Sequence, residues 1–284
     1  MTDVPFCKFH GFGNDYIVIE ERLLGPNTEL PDLAMAICHR HTGAGADGIA
    51  VLRQTDDSDA DYFCEIVNPD GSIAGFSGNG TRCAAAYLYR QNRWLAPHLS
   101  FETRSGIKKF NLLGSNDNNS FSFTAEIGRP AFESESIPVR TDSPVESVID
   151  MPIDLGGQVF KISAVNVGNP VACIFVEDLE LDWRNYGREL ETHQAFPERA
   201  NIVFVRVLDR SNIELRIWER AAGETAASGT CSSGAAVLSA FTGRTERNVY
   251  VHSPGGKTRV AWRDDDVIEL TGDAEFVYCG TWPG

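Results

Sequence analysis

Ser77-Gly78-Asn79-Gly80-Thr81-Arg82-Cys83-Ala84-Ala85-Ala86 decides the reading of this chain, because its pattern returns 151 positions later. There Ser228-Gly229-Thr230-Cys231-Ser232-Ser233-Gly234-Ala235-Ala236-Val237 repeats the order: a small hydroxyl residue, a Gly-containing turn, a run of small residues. The runs predict helices over Arg82–Tyr89 and Ser233–Phe241, with Gly243 placed to stop the second. Polar segments precede both turns: Asn68-Pro69-Asp70-Gly71-Ser72 the first, Glu219-Arg220 and Gly223-Glu224-Thr225 the second. A helix N-terminus carries unsatisfied N–H groups and a partial positive charge, so it holds a carboxylate or phosphate well. Gly78, Gly80 and Gly229 let backbone approach such a ligand closely. Two such ends around one small acid suit inversion at its α-carbon. One group takes the α-proton, a second returns it from the opposite side, and the helix field stabilises the intervening negative charge.

Outward from the two turns, the chain reads as many short strands and few helices. Tyr16–Glu20, Ile49–Leu52, Ile174–Val176 and Ile202–Val205 are apolar runs of strand length. Ile213–Trp218 alternates apolar and polar residues, as a strand with one buried face does. Val260–Trp262 and Val267–Leu270 predict a hairpin across residues 263–266. Pro31-Asp32 opens a helix over Leu33–His39, and another falls within Leu181–Gln194. Residues 114–120 are polar and turn-rich and read as a loop. Strands and helices mix without regular βαβ alternation, so the expected class is α+β. The expected division is a first domain over residues 1–127, rejoined by a C-terminal strand in 273–284, and a second over 128–272.

Composition narrows the function. With 284 residues, 42% apolar and 23% charged, the chain can build two cores. A net charge of −15 excludes recognition of nucleic acid through its phosphates. No apolar run reaches the roughly 18 residues of a membrane helix, and the N-terminus lacks signal-peptide character. Seven cysteines without a C-x-x-C pair predict reduced, mostly buried thiols in a cytoplasmic protein. The six histidines are dispersed, so no metal site is expected. Ser253-Pro254-Gly255-Gly256-Lys257-Thr258 approaches a phosphate loop, but Val251 stands where the first Gly is needed, and a hairpin turn is the better reading.

Further polar turns precede strands: Phe9-His10-Gly11-Phe12-Gly13-Asn14-Asp15-Tyr16 and Thr42-Gly43-Ala44-Gly45-Ala46-Asp47-Gly48. Asn169 and Asn201 are amides at strand edges, able to bind ammonium or carboxylate groups or simply to shape turns. Together these segments, in this order over nearly the whole chain, resemble the diaminopimelate epimerases, a family of cofactor-independent amino-acid epimerases. The matching runs are Phe6–Asp15, Gly45–Gly48, Asn68–Ser72, Gly78–Cys83, Gly168-Asn169-Pro170, Asn201, Glu219-Arg220 and Gly223-Glu224-Thr225.

The resemblance implies two similar domains, each a barrel-like, mostly antiparallel sheet around a central helix. It implies two-base α-proton transfer between LL- and meso-diaminopimelate, in lysine and cell-wall biosynthesis, with no cofactor. The implied partner is a small-molecule amino acid, with homodimerisation left open. By position, Asn14, Asn68, Asn169 and Asn201 bind the substrate's amino and carboxylate ends. Glu219 and Arg220 grip its distal centre, Glu219 also being a catalytic candidate. Gly78-Asn79 and Gly229-Thr230 hold the reacting carboxylate. The family's two catalytic cysteines correspond to Ser77 and Ser228, and its His after Gly-Asn-Pro corresponds to Val171. A thiol, near pKa 8.5, exchanges protons at neutral pH, whereas a Ser hydroxyl needs a neighbouring base. The serines leave open an engineered form, a natural branch with altered chemistry, or a binder of a small amino acid. A racemase, dehydratase or isomerase of another amino or hydroxy acid also stays open, as does Cys231 as a substitute base.

Overall fold

The computed structural model describes residues 3–116 and 119–283. The chain divides into two compact units, Met1–Ala125 with Gly272–Gly284, and Glu126–Thr271.

The first unit starts with β1 (Val4–Gly11), β2 (Asn14–Glu20), helix α1 (Leu30–Ile37), β3 (Ile49–Arg53), β4 (Tyr62–Val67) and β5 (Ile73–Ala74). Helix α2 (Gly78–Arg90), β6 (His98–Glu102), β7 (Lys108–Ser115) and β8 (Ser120–Gly128) follow. Most neighbouring pairs are antiparallel; β2–β3 and β4–β6 are parallel. The strands read as unbroken apolar runs because both of their faces are covered. Val18, Ala50, Leu52, Cys64 and Ile66 pack on α2, while Ile17, Ile19, Ile49, Val51 and Val67 pack with α1. The period-2 alternation of a strand thus sorts one sequence into two cores. Helix α2 is buried without interruption from Gly80 to Leu88, which its small side chains permit.

The second unit repeats the plan with β9 (Val148–Leu155), β10 (Gln158–Asn166), β11 (Pro170–Phe175), helix α3 (Trp183–Glu191), β12 (Asn201–Asp209) and β13 (Asn212–Glu219). Then come β14 (Gly223–Thr225), helix α4 (Gly229–Phe241), β15 (Asn248–Ser253), β16 (Gly256–Trp262) and β17 (Ile268–Trp282), whose later part belongs to the first unit. Val165, Val171, Cys173, Val203 and Val205 pack with α4; Ile162, Ala172, Ile174, Ile202 and Phe204 pack with α3. Each unit is therefore a mostly antiparallel sheet with one helix enclosed and one outside, the α+β class expected. Among the described residues no helix is long and apolar enough to cross a membrane.

Several local expectations shift. Helices α2 and α4 begin four residues before the small-residue runs suggested, directly after Ser77 and Ser228. Each serine is the N-cap, its Oγ accepting the N–H of Gly80 or Cys231. A Ser N-cap stabilises a helix by about 1 kcal/mol relative to Ala, enough to draw Gly and Thr residues into the first turn. Helix α1 starts at Leu30, with Pro31 in its first turn, and ends at Ile37; α3 is shorter than the Leu181–Gln194 window. The expected loop over 114–120 contracts, Gly114 and Ser115 lying in β7 and Ser120 in β8; positions 117 and 118 lie outside the described residues.

The expectation of seven reduced thiols is corrected. Cys7 and Cys279 form a disulfide, because antiparallel β1 and β17 place them directly opposite, with Cα atoms 4.0 Å apart. The other five cysteines are free and buried, as small apolar residues are.

Candidate active site

Ser77 sits where the chain turns from extended backbone into α2. Its Oγ accepts the Gly80 N–H at 3.1 Å and its carbonyl accepts the Thr81 N–H at 2.9 Å. The Gly78 and Asn79 N–H groups have no partner within the helix, the arrangement that binds an anion. Ser77 Oγ also donates to the Tyr16 phenol oxygen at 2.9 Å.

Beside Ser77 runs a chain of hydrogen bonds. Arg82 Nη1 donates to Asn79 Oδ1 at 2.8 Å, Asn79 Nδ2 to Asn14 Oδ1 at 3.1 Å, and Asn14 Nδ2 to Asp47 Oδ2 at 2.8 Å. Because Arg82 can only donate and Asp47 accepts, both amides between them have a fixed orientation. Arg40 then clamps Asp47 at 2.6 Å and Asp15 at 2.8 Å, and Lys8 closes on Asp15 at 2.6 Å. Burial pushes the Asp15 carboxyl up, but hydrogen bonds from Arg40 and Lys8 outweigh it and bring it to about 2. Asn14 and Asn79 are thus brought together with Ser77 by α2 and β2. Asn68 is not in this chain of bonds; its side chain donates to Ser72 Oγ at 2.9 Å in the turn after β4.

The second unit builds a related corner with different chemistry. Ser228 caps α4, is 8% exposed, and donates to Glu219 Oε2 at 3.0 Å, with Thr230 Oγ1 at 3.4 Å. Glu219 therefore addresses the serine hydroxyl. Arg220 turns elsewhere, its side chain donating to Asn169 Oδ1 and to the Glu198 carbonyl, both at 3.2 Å. Asn201 is buried, and both ends of its amide hold backbone. It accepts the Arg220 N–H at 2.9 Å and donates to the Pro170 carbonyl at 3.0 Å, tying the Gly-Asn-Pro turn to the Glu-Arg pair. The Gly229 and Thr230 N–H groups open α4 as Gly78 and Asn79 open α2.

Two neighbouring side chains, Cys231 and Val171, lie in the core. Cys231 is fully buried, and burial, reinforced by Glu219, pushes its thiol well up, so it is a poor base at neutral pH. Val171 is fully buried against α4, where a Cβ on Gly234 would lie 2.8 Å from its side chain. Sequence reasoning missed Tyr16, Arg82, Arg40 and Lys8. All lie in or beside quoted motifs, but only the nonlocal fold shows what they touch.

Comparison with known proteins identifies the family. The family model described as diaminopimelate epimerase matches residues 6–132 and 163–277. The diaminopimelate epimerase of Pelotomaculum thermopropionicum is 38% identical over 281 residues, covering 98% of both chains. That of Desulforudis audaxviator is also 38% identical, over 285 residues, covering 98% of this chain and 99% of its own. Among solved structures, a PhzF-family phenazine biosynthesis protein of Bacillus anthracis superposes with TM-score 0.69 at 16% identity over the whole of both chains. A probable proline racemase of Agrobacterium radiobacter does so with TM-score 0.68 at 14% identity, covering 98% of this chain and 92% of its own. These distant likenesses concern the fold; the full-length sequence matches place the chain in the diaminopimelate epimerase family.

Proposed function

We propose that the protein is a cofactor-independent epimerase that interconverts LL- and meso-diaminopimelate by α-proton transfer. The observation that carries this reading is the near full-length identity to diaminopimelate epimerases, joined to serine N-caps at both positions where the resemblance implies proton transfer. Ser77 and Ser228 take the two proton-transfer roles. The Gly78-Asn79 and Gly229-Thr230 N–H groups hold the reacting carboxylate and stabilise the charge that develops when the α-proton leaves. Asn14, Asn68 and Asn169 contact the remaining polar groups of the substrate, with Asn201 holding the Arg220 backbone. Glu219 acts on Ser228: a carboxylate 3.0 Å from a hydroxyl accepts its proton as Oγ takes another. The reaction belongs to lysine biosynthesis, in the cytoplasm, with the amino acid as the required partner and a second copy of the chain as an open one. A disulfide such as Cys7–Cys279 is uncommon in that compartment.

The serines favour one second reading, a binder of the same amino acid that has lost turnover. Restoring both thiols, Ser77→Cys with Ser228→Cys, separates the two. On the epimerase reading the untreated protein turns over and the thiols raise its rate, by about 10²-fold, since matched pKa values govern acid–base efficiency. A protein that binds diaminopimelate in calorimetry, is inert as it stands, and turns over only with both thiols is the binder. No affinity and no turnover in either form ends both readings.

A further inference from the structure

We propose that Tyr16 is a positioning residue through which Ser77 exchanges its proton, supplying at this turn the acid–base capacity that a lone hydroxyl lacks. The inference rests on the epimerase reading of Ser77 and extends it to a group outside the family resemblance drawn above.

The geometry is built for the phenol. Tyr16 is 6% exposed, and its ring is held between two glycines on different segments. A Cβ on Gly48 would lie 2.8 Å from Tyr16 Cε1, and one on Gly80 would lie 2.9 Å from Cε1 and 3.0 Å from Cδ1. Both segments give up a side chain so that the ring can lie there. A phenylalanine would fill this slot equally well, so packing alone does not call for the oxygen. A buried phenol oxygen requires a hydrogen-bond partner, and its partner here is Ser77 Oγ at 2.9 Å. Ser77 Oγ spends its hydrogen on Tyr16 and one lone pair on the Gly80 N–H, leaving one lone pair unspent.

The groups facing Tyr16 are Ser77 and Cys83 from the α2 segment, Asp47 from the turn before β3, and Cys38 after α1. Burial first, then the negative fields of Cys83, Asp47 and Cys38, push the phenol up to about 12, while the Ser77 hydrogen bond pulls the other way. At neutral pH both hydroxyls are protonated, and to donate the pair reverses its hydrogen bond: the Ser77 hydrogen turns from Tyr16 to the substrate and the phenol hydrogen turns to Ser77 Oγ. When a proton is returned to the substrate, the Ser77 O–H bond breaks and the Cα–H bond forms from the carbanion's electron pair. Ser77 Oγ takes the phenol proton, and water reprotonates the tyrosinate. Proton removal runs the same steps in reverse, with tyrosinate accepting the Ser77 hydrogen as Oγ takes the α-proton. At Ser228 the Glu219 carboxylate is the corresponding acceptor.

The test follows α-proton exchange of LL-diaminopimelate in deuterated water by NMR, against pH, for the wild type and Tyr16→Phe. The variant should lose about 10²-fold in turnover with KM unchanged, together with the rise in rate toward alkaline pH. In a Ser77→Cys background the same change should cost less than about threefold, because a thiol near pKa 8.5 exchanges without help. An active wild type whose rate and pH profile survive Tyr16→Phe overturns the proposal while leaving the epimerase reading standing. So does an equal loss in the Ser77→Cys background. An inert wild type overturns the epimerase reading instead, and a spectrum of protein carrying ζ-13C tyrosine then decides the pair. The resonance missing from Tyr16→Phe shifts on Ser77→Ala if the two hydroxyls are bonded; if it stays in place, the pairing is overturned as well.

Discussion

Replacing Asp15 by Asn should lower the free energy of unfolding by about 2 kcal/mol at pH 7. The side chain of Asp15 is 12% exposed and lies between Lys8 at 2.6 Å and Arg40 at 2.8 Å. Its carboxyl is brought from an ordinary 3.8 to about 2, burial pushing up and the two cations pulling down harder. At roughly 1.36 kcal/mol per pKa unit, this difference is worth about 2 kcal/mol. The sign follows from the direction. A carboxyl depressed in the folded state contributes fully above its unfolded pKa, and the contribution is lost as pH falls through the folded pKa. The gap between wild type and variant should therefore stay constant from pH 7 to 5, fall to about half near pH 3, and close near pH 2. Urea denaturation at several pH values measures it. Equal stability of the two proteins at pH 7, or a gap that widens with acid, would refute the reasoning. Because Arg40 also holds Asp47, and Asp47 holds Asn14, the variant should lose affinity for substrate as well.

Gly80→Ala places a methyl 2.8 Å from Ile66 Cδ1 and 2.9 Å from Tyr16 Cε1, and should destabilise by roughly 1–3 kcal/mol through overpacking. Gly78→Ala, whose nearest neighbour is Phe76 Cε1 at 3.9 Å, is the control that should unfold much as the wild type does. Thiol titration of the denatured, unreduced protein should count five reactive cysteines, and seven after reduction; seven in both would remove the Cys7–Cys279 bond from the account. Glu219→Gln keeps the shape but removes the carboxylate that takes the proton 3.0 Å from Ser228, and should lower turnover by about 10²-fold with KM little changed; an unchanged rate would remove Glu219 from the proposed chemistry.

What the chain disclosed in advance followed from local chemistry. The two Ser-Gly turns, the apolar strands and the alternation of Ile213–Trp218 are set by neighbours along the sequence, and they reappear as α2, α4, β3, β12 and β13. The helix starts read late because Gly78, Asn79, Gly229 and Thr230 are weak helix formers, and only the capping serines offset that. The long β17 read as separate pieces because Thr271-Gly272-Asp273 looks like a break, yet it pairs with β16 at one end and β1 at the other. The nonlocal part of the site stayed hidden for the same reason. Lys8, Asp15, Arg40 and Asp47 are ordinary charges until β1, β2 and the turn before β3 are brought side by side. Tyr16 read as one residue of an apolar strand; the glycines at 48 and 80 that make room for it are 32 and 64 positions away. Cys7 and Cys279 pair across 272 positions because the first and last strands are neighbours, which no spacing rule contains.

The most direct measurement is NMR of LL-diaminopimelate incubated with the purified wild-type protein in deuterated water. The account predicts loss of the α-proton signal with appearance of meso product, and slower exchange in Ser77→Ala and in Ser228→Ala. Retention of the full α-proton signal and of the LL isomer by the wild type would contradict it.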